Sequence, residues 1–200
     1  MAGGRSLMIG SFGWDWEAWQ GPFYPEDMPA DWRLTFYSNE FGCVLVPSDV
    51  WSSEPDVDAW REDAPEGFRF YLEVSGELAD GPYRDRLLQA AQTLGPLCGG
   101  AVAEAGARDR GLDRLGQLGV PVYTLEDDEA VPPVWRPGVT ACPCAPLAWV
   151  RFGGDPDARA LREVIEGFVG CAGDEDLAMI LETSPGVLRD AQAIARLMGY

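Results

Sequence analysis

Short apolar runs alternate with amphipathic stretches along the whole chain. Such runs are typical of strands buried on both faces, and they are Leu7–Gly10, Cys43–Val46, Phe68–Val74, Leu97–Ala103, Val120–Leu125, Leu147–Phe152 and Leu177–Leu181. Helical spacing of apolar residues predicts helices over Asp31–Glu40, Asp56–Asp63, Pro82–Leu94, Arg108–Leu118, Asp157–Phe168 and Val187–Met198. Because strands and helices alternate throughout, we predict a parallel sheet of an α/β protein.

The number of strand–helix repeats favours a barrel over a dinucleotide-binding sheet. The segment Gly10–Gly13 does not complete a G-x-G-x-x-G fingerprint. A TIM-type barrel has about 250 residues, with about 200 as its lower limit, and this chain has 200. We therefore predict a TIM-type (β/α) barrel that is incomplete, with about seven βα units. It forms a single domain over residues 1–200, and residues 126–146 form an acidic, proline-rich connection without regular structure.

Composition excludes several kinds of chemistry. The chain has no histidine and no lysine, and its 15 arginines stand against 33 Asp and Glu residues, which gives a net charge of −18. Without histidine there is no Ser-His-Asp triad and no histidine-based zinc site. Without lysine there is no Schiff base and no P-loop. The negative charge opposes binding to nucleic acids, which depends on neutralising phosphates, and we expect neither a metal nor a cofactor.

The apolar runs and the cysteines bear on where the protein works. No run approaches the roughly 18 residues of a membrane span, and the N-terminus is a poor signal peptide, so we expect a cytoplasmic protein without a membrane partner. An odd number of widely spaced cysteines argues against a secreted disulfide framework; they are Cys43, Cys98, Cys142, Cys144 and Cys171. Cys142 and Cys144 are expected to be two small apolar side chains in the connection, and a redox or metal role is the alternative.

The ends of the chain carry ordered landmarks of a known family. The opening Ile9–Trp14, followed by Trp19, Gly21 and Phe23–Pro25, resembles the pattern I-G-T-S-G-W…W-x-G-x-F-Y-P of the YecE-like family, a bacterial-type domain of unknown function (DUF72). Near the C-terminus, Trp149–Gly154 is similar to the family's Y-V-R-L-H-G. The resemblance implies a TIM-barrel-type fold and leaves the biochemical role unknown.

Polar positions of the family pattern carry other residue types in this chain. In the second strand, the family's acidic residue and asparagine correspond to Leu45 and Pro47. The lysine of the third strand corresponds to Glu73, and the histidine of the sixth corresponds to Gly153. The paired asparagines of the last strand correspond to about Glu182 and Thr183. The resemblance also implies that a βα unit is missing between Ala103 and Val120, because members of the family are usually longer. We expect a scaffold that keeps its barrel and lacks the ancestral activity.

Candidate functional residues follow from the position of active sites in such barrels, at the carboxyl ends of the strands. The candidate catalytic carboxylates are Glu73, Asp127 and Glu182, and the candidate ligand-binding residues are Arg151, Trp14, Gly153 and Gly154. Asp49 and Glu104 are also expected at strand ends. Arg151 is either a clamp for a carboxylate or phosphate or a member of a buried ion pair with Glu73, Asp127 or Glu182.

Three functions are compatible with these residues. The first is a binding or interaction protein, with an unknown small molecule or protein as its partner, and the tryptophan-rich N-terminal segment as a possible partner surface. The second is a small hydrolase that uses strand-end carboxylates together with Arg151 on a sugar or phosphate ester. The third is nucleic-acid processing, by analogy to nucleases with similar barrels, and the net charge opposes it.

Overall fold

Seven parallel strands form the centre of the molecule. The computed structural model describes residues 5–75, 81–104, 112–126, 133–139, 142 and 144–200. The strands are β1 Leu7–Phe12, β2 Cys43–Val46, β3 Arg69–Val74, β4 Cys98–Ala103, β5 Val122–Thr124, β6 Leu147–Arg151 and β7 Leu177–Glu182. They lie in the order β5-β4-β3-β2-β1-β7-β6, so β1 lies between β2 and β7, and β6 is at the edge. The predicted incomplete TIM-type barrel is confirmed.

Helices lie in the connections between successive strands, except in the described part of the β5–β6 connection. They are α1 Arg33–Glu40, α2 Ser48–Ser52, α3 Val57–Asp63, α4 Pro82–Leu94, α5 Asp113–Gln117, α6 Ala158–Cys171 and α7 Pro185–Leu197. Short 3₁₀ turns cover Glu17–Trp19, Ala30–Trp32 and Gly95–Leu97. The helix predicted over Arg108–Leu118 is present at its C-terminal end, and its first four residues lie outside the described ranges. No described helix is long and apolar enough to cross a membrane.

The strands are buried on both faces, and they separate two apolar layers. Inside the curled sheet, side chains such as Leu45, Tyr71, Tyr123 and Trp149 pack on one another. Outside it, side chains from the other face of the strands meet the apolar faces of the helices. The strands therefore read as continuous apolar runs in the sequence, without alternation of polar and apolar positions.

Glycine at position 10 permits close pairing of the first two strands. Gly10 of β1 lies opposite Cys43 of β2, and a Cβ atom at position 10 would stand 1.9 Å from the Cys43 carbonyl oxygen. Any larger residue would force the two central strands apart. The glycine of the opening motif thus has a structural role in the sheet.

A short extended segment bridges the two outer strands, β5 and β6. The Val134 N–H donates to the Thr124 carbonyl of β5 at 2.8 Å, and the Trp135 N–H donates to the Leu147 carbonyl of β6 at 2.9 Å. The Trp149 N–H donates back to the Trp135 carbonyl at 3.1 Å. Residues 133–135 therefore occupy the position between β5 and β6, inside the connection that we predicted to lack regular structure.

The bridge marks an irregular position in the sheet. The predicted loss of a βα unit between Ala103 and Val120 stays a prediction, because β4 and β5 would pair as neighbours, as they do from Ala101↔Val122 to Ala103↔Thr124, with or without such a loss. The irregular position lies after β5, where the three bridging residues replace a full strand. The proline-rich composition of the connection explains the short pairing, because proline has no N–H to donate to a ladder.

The structure also corrects the interpretation of Cys142 as a small apolar side chain. Cys142 forms a disulfide with Cys171 at the end of α6, with 5.0 Å between their Cα atoms. The Cys144 N–H donates to the Cys171 carbonyl at 3.4 Å, which holds the connection beside the helix end. Cys144 is buried with a free thiol, as are Cys43 and Cys98. The pairing could not be deduced from sequence because the two cysteines are 29 positions apart.

Candidate functional site

A cleft of about 680 Å³ opens at the carboxyl ends of β1, β2 and β3. We call it the tryptophan cleft, after Trp14, Trp16 and Trp60 in its wall. The loop after β1 forms one side of it, and α2 and α3 form the other. Its lining residues are Phe12, Gly13, Trp14, Asp15, Trp16, Ala30, Asp31, Leu34, Pro47, Asp49, Val50, Asp56, Ala59, Trp60, Asp63 and Glu73.

Stacked aromatic rings build the wall of the cleft that contacts the outer core. Trp14 is buried, and its ring meets the edge of Trp60 at right angles, with 5.1 Å between the ring centroids. Trp60 in turn lies nearly parallel to Phe70 of β3, at 6.2 Å. Packing from both sides fixes the indole faces that the cleft presents, so this wall is preorganised.

The loop after β1 places a third indole at the entrance. Gly13 has a φ of +68°, and a Cβ atom there would stand 3.1 Å from the Trp16 ring. The indole N–H of Trp16 donates to the Phe12 carbonyl at 2.8 Å. The ring lies against the glycine and keeps 42% of its surface exposed, so it can contact a bound molecule.

Hydrogen bonds and an ion pair hold this loop against the barrel. The Tyr24 hydroxyl donates to the Trp14 carbonyl at 2.5 Å. Arg33 of α1 pairs with Asp15 and donates to the side chain of Gln20. The landmarks of the opening motif therefore fix the loop conformation that shapes the cleft.

Glu73 lies at the inner end of the cleft, where β3 meets α2. Only 8% of its surface is exposed. Its Oε2 accepts the backbone N–H of Ser48 at 2.9 Å, and its carbonyl oxygen accepts the indole N–H of Trp51 at 2.7 Å. Residues of α2 thus hold both the side chain and the backbone of Glu73 in place.

Burial raises the pKa of the Glu73 carboxyl above its ordinary range. The hydrogen bonds from Ser48 and the charge of Arg151 lower this pKa, and the charge of Glu104 raises it. Desolvation is the largest of these effects, because an ionised carboxylate loses its hydration when it is buried. A carboxyl group with a raised pKa in a cleft is a common feature of functional sites.

The other acidic residues of the cleft lie at its rim; Asp63 is half-buried, and the rest are exposed. Asp15 pairs with Arg33, and Asp56 accepts the Ala59 N–H at the start of α3. Asp31, Asp49 and Asp63 form no ion pair with any residue that the structure describes. Within the described part of the chain, no basic side chain lines the cleft.

Arg151 and Glu182 lie side by side at the carboxyl ends of the neighbouring strands β6 and β7. We call this end of the barrel its mouth. The Arg151 Nε donates to Glu182 Oε1 at 2.6 Å, and the same oxygen accepts the indole N–H of Trp149 at 2.6 Å. The guanidinium stacks over the Trp149 ring at 4.6 Å. The Arg151 side chain is 64% exposed, so the pair is a surface pair and not the buried pair that we considered. Glu182 already neutralises the charge that a clamp for an anion would use.

The predicted site residues therefore separate into groups. Trp14 and Glu73 line the tryptophan cleft, whereas Arg151 and Glu182 bind each other at the mouth. Gly153 and Gly154 are exposed after β6, and a Cβ atom on either would have no neighbour within 4 Å. Asp127 lies outside the described residues. Within the described ranges, no group of three or more histidine, cysteine or acidic residues could hold a metal ion.

Sequence reasoning missed the contribution of the first two connecting helices. Trp60, Asp31, Asp56 and Asp63 were not among the predicted site residues. Their common signal is position: each precedes or belongs to a helix that follows a strand end. Such loops form the functional face of a barrel, so the βα connections could have been searched as well as the strand ends.

Comparisons with known proteins agree with the fold and the opening motif. Residues 8–100 match the model of a family described as protein of unknown function DUF72. A DUF72 family protein from Thermotoga maritima (TM1631) has a similar solved structure, with a TM-score of 0.61, 13% identity and coverage of 98% of this chain and 100% of that one. The N-terminal half of the chain is thus similar to the DUF72 family. The match covers all residues of the opening motif, which builds one side of the cleft.

A second solved DUF72 structure and the curated proteins complete the comparison. The DUF72 family protein from Enterococcus faecalis (EF0366) has a TM-score of 0.57 and 12% identity, and the match covers 98% of each chain. No curated protein matches the chain. At this identity the two structures support the DUF72 fold alone.

Proposed function

We propose that this protein is a binding protein for a small molecule that occupies the tryptophan cleft. The observation that carries the proposal is the cavity of about 680 Å³ with a fixed aromatic wall. Its volume lies within the range of ligand sites, about 300–1,000 Å³. It also opens at the carboxyl ends of the strands, where barrels of this type bind ligands.

The mouth of the barrel supports a loss of the ancestral activity. Arg151 is held by Glu182 and Trp149, so its charge is no longer free for an anionic substrate. Nucleic-acid processing has little support, because a phosphate backbone entering the cleft would meet carboxylates with no basic side chain among the described lining residues. A binding role without turnover therefore fits both the tryptophan cleft and the Arg151–Glu182 pair.

A fragment screen on two matched tryptophan variants tests the proposal. Trp16 lines the cleft, whereas Trp32 is 65% exposed and lies outside its lining. Some fragments will stabilise the wild-type protein against heat. We expect Trp16→Ala to weaken the binding of these fragments by about fivefold, since one aromatic contact contributes roughly 1 kcal/mol. Trp32→Ala should leave these affinities unchanged. Equal effects of both variants, or no fragment binding at all, would contradict a ligand site in the cleft.

Hydrolysis is the second candidate function, and the raised pKa of Glu73 favours it. A protonated carboxyl group in an aromatic cleft can donate its proton to the leaving oxygen of a glycosidic bond while a second carboxylate activates water. Chromogenic 4-nitrophenyl glycosides test this role directly. Turnover that is lost in Glu73→Gln and kept in Trp32→Ala would establish hydrolysis, and no turnover of any glycoside would leave binding as the function.

We also propose a cytoplasmic location, which the disulfide puts to the test. Disulfides are rare in the cytosol of mesophilic cells, and this chain joins Cys142 to Cys171. Trapping of free thiols in lysed cells, followed by separation of the compartments, measures both properties at once. Recovery of the oxidised protein only outside the cytosol would refute the proposed location.

A further inference from the structure

The charged side chains around the tryptophan cleft have one sign. Its lining contains Asp15, Asp31, Asp49, Asp56, Asp63 and Glu73, and no basic residue of the described chain lies among them. Of these six, Asp15 alone forms an ion pair with a residue that the structure describes, Arg33. The whole chain adds a net charge of −18, so the field of the protein attracts cations towards the cleft.

The aromatic wall faces the same space as these carboxylates. The Trp14, Trp16 and Trp60 rings all line the cleft, and the faces of indole rings carry negative electrostatic potential that binds cations. An anion would be repelled by both features. A neutral polyhydroxylated ligand could stack on the rings, but it would leave the rim carboxylates without a positive partner.

Burial of Glu73 adds a reason for a positively charged ligand. Its carboxyl group is almost fully buried and receives one backbone hydrogen bond, from Ser48. Ionisation in such a position is unfavourable unless a positive charge lies nearby. The arginine whose charge lowers the pKa of Glu73, Arg151, is already paired with Glu182, so a cation within the cleft would supply a positive charge.

We propose that the ligand of the tryptophan cleft is an organic cation: an ammonium group with apolar substituents. The ammonium group lies between Glu73 and the rim carboxylates, and its apolar substituents contact the indole rings. This inference rests on the proposed binding function and specifies the chemical class of the ligand. Aromatic surfaces are a general means by which proteins bind quaternary ammonium groups.

A pair of probes that differ only in charge tests the proposal. Choline and 3,3-dimethylbutan-1-ol have nearly the same shape, and a carbon atom replaces the charged nitrogen in the alcohol. Isothermal titration of the wild-type chain should give at least about tenfold tighter binding of choline, as expected when a cation contacts desolvated aromatic rings and carboxylates. Added salt should weaken the binding of choline and leave that of the alcohol unchanged.

Three variants locate the binding of choline. Asp49→Asn and Glu73→Gln each remove a negative charge from the cleft and should weaken choline binding several-fold. Asp174→Asn removes the same charge from an exposed loop before β7, at the opposite end of the strands, and should change it little. Because Asp49 is exposed and makes no side-chain hydrogen bond with a described residue, its variant will fold even if Glu73→Gln disturbs α2.

The possible outcomes distinguish this inference from the proposed function. Choline binding no tighter than that of the alcohol, including no binding of either probe, would overturn the cationic ligand. Equal weakening by Asp49→Asn and Asp174→Asn would also overturn it. Neutral fragments that bind and lose affinity in Trp16→Ala would still establish the cleft as a binding site. Failure of every fragment in that screen would refute both.

Discussion

Glu73 illustrates how position within the barrel changes the behaviour of one carboxyl group. The sequence identified it as an acidic residue at a strand end, where the family pattern has lysine. The structure buries it beneath α2 and raises its pKa, chiefly by desolvation. Its role as the inner anchor of the cleft depends on Ser48 and Trp51, whose contacts to it could not be read from sequence spacing.

The raised pKa of Glu73 predicts how one substitution changes stability with pH. A carboxyl group whose pKa is higher in the folded state stabilises the fold while it is protonated, and that contribution is lost as the pH rises through the folded-state pKa. Glu73→Gln keeps an oxygen that can accept the Ser48 N–H and removes the cost of ionisation. We therefore expect the variant to have a higher melting temperature than the wild type at pH 7 to 8.

This difference should disappear as the pH falls below the ordinary pKa of a glutamate, because the wild-type side chain is then protonated as well. Glu17→Gln controls for the loss of one charge, since Glu17 is exposed and its side chain bonds to no described residue. Thermal melts between pH 4 and pH 8 measure both variants. A Glu73→Gln protein that is less stable than the wild type at neutral pH would contradict the raised pKa of Glu73.

Tyr37 makes a second prediction at the scale of one side chain. Its buried hydroxyl accepts the Ser11 N–H at 2.8 Å and donates to the Cys43 carbonyl at 2.9 Å, linking α1 to β1 and β2. Tyr37→Phe removes these buried hydrogen bonds and should lower the free energy of unfolding by about 1–3 kcal/mol. Tyr83→Phe, at an exposed tyrosine of α4, should change it by less than about 0.5 kcal/mol.

Urea denaturation of the two tyrosine variants gives these free energies. Equal stability of Tyr37→Phe and the wild type would mean that the hydroxyl does not connect the helix to the strands.

At the scale of elements, the strands were the most predictable part of the molecule. All seven were expected from apolar runs, and their bounds differ from the structure by at most two residues. Continuous burial makes such runs easy to recognise. The five-residue helix α2 was missed because Ser48–Ser52 is too short to show helical periodicity, and it is held by its contacts to Glu73.

The connection between β5 and β6 was the least predictable element. Its prolines and acidic residues indicated irregular structure, and three of its residues nonetheless pair with both outer strands. Its disulfide to α6 was also unexpected. Both features depend on which distant elements come together in the fold, which the local pattern does not encode.

The disulfide predicts a specific thiol count. Denatured without reductant, the protein should show three free thiols, from Cys43, Cys98 and Cys144, and full reduction should raise the number to five. Cys171→Ser removes a cross-link that spans 29 residues, and the chain-entropy model gives a loss of roughly 3–4 kcal/mol of stability. Cys98→Ser, at a free thiol, should leave the disulfide in place. Five free thiols in the unreduced wild type would contradict the pairing.

At the scale of the whole molecule, the sequence predicted the scaffold more completely than the candidate site. The opening motif and the alternation of elements were sufficient to predict the barrel and the family. Of the predicted site residues, Trp14 and Glu73 line the cleft and Arg151 and Glu182 pair at the mouth. The cleft itself depends on the loop after β1 meeting α2 and α3 in space, so no single strand end indicated it.

The distribution of charge gives the molecule its proposed specificity. Composition alone showed an excess of acidic residues and opposed polyanionic partners. The structure places several of these acids around indole rings in one cavity. The excess of negative charge first indicated only which ligands are excluded. With its position known, it also supports one class of ligand, an organic cation.

The side-chain indole signals of the eight tryptophans provide the most direct measurement of this central claim. Two-dimensional ¹H–¹⁵N spectra, with signals assigned by single Trp→Phe substitutions, can follow each indole during titration with choline. We predict that the signals of Trp14, Trp16 and Trp60 shift together with saturation, whereas those of Trp32 and Trp135 stay in place. Unchanged signals from the cleft, or shifts confined to tryptophans outside it, would contradict the account.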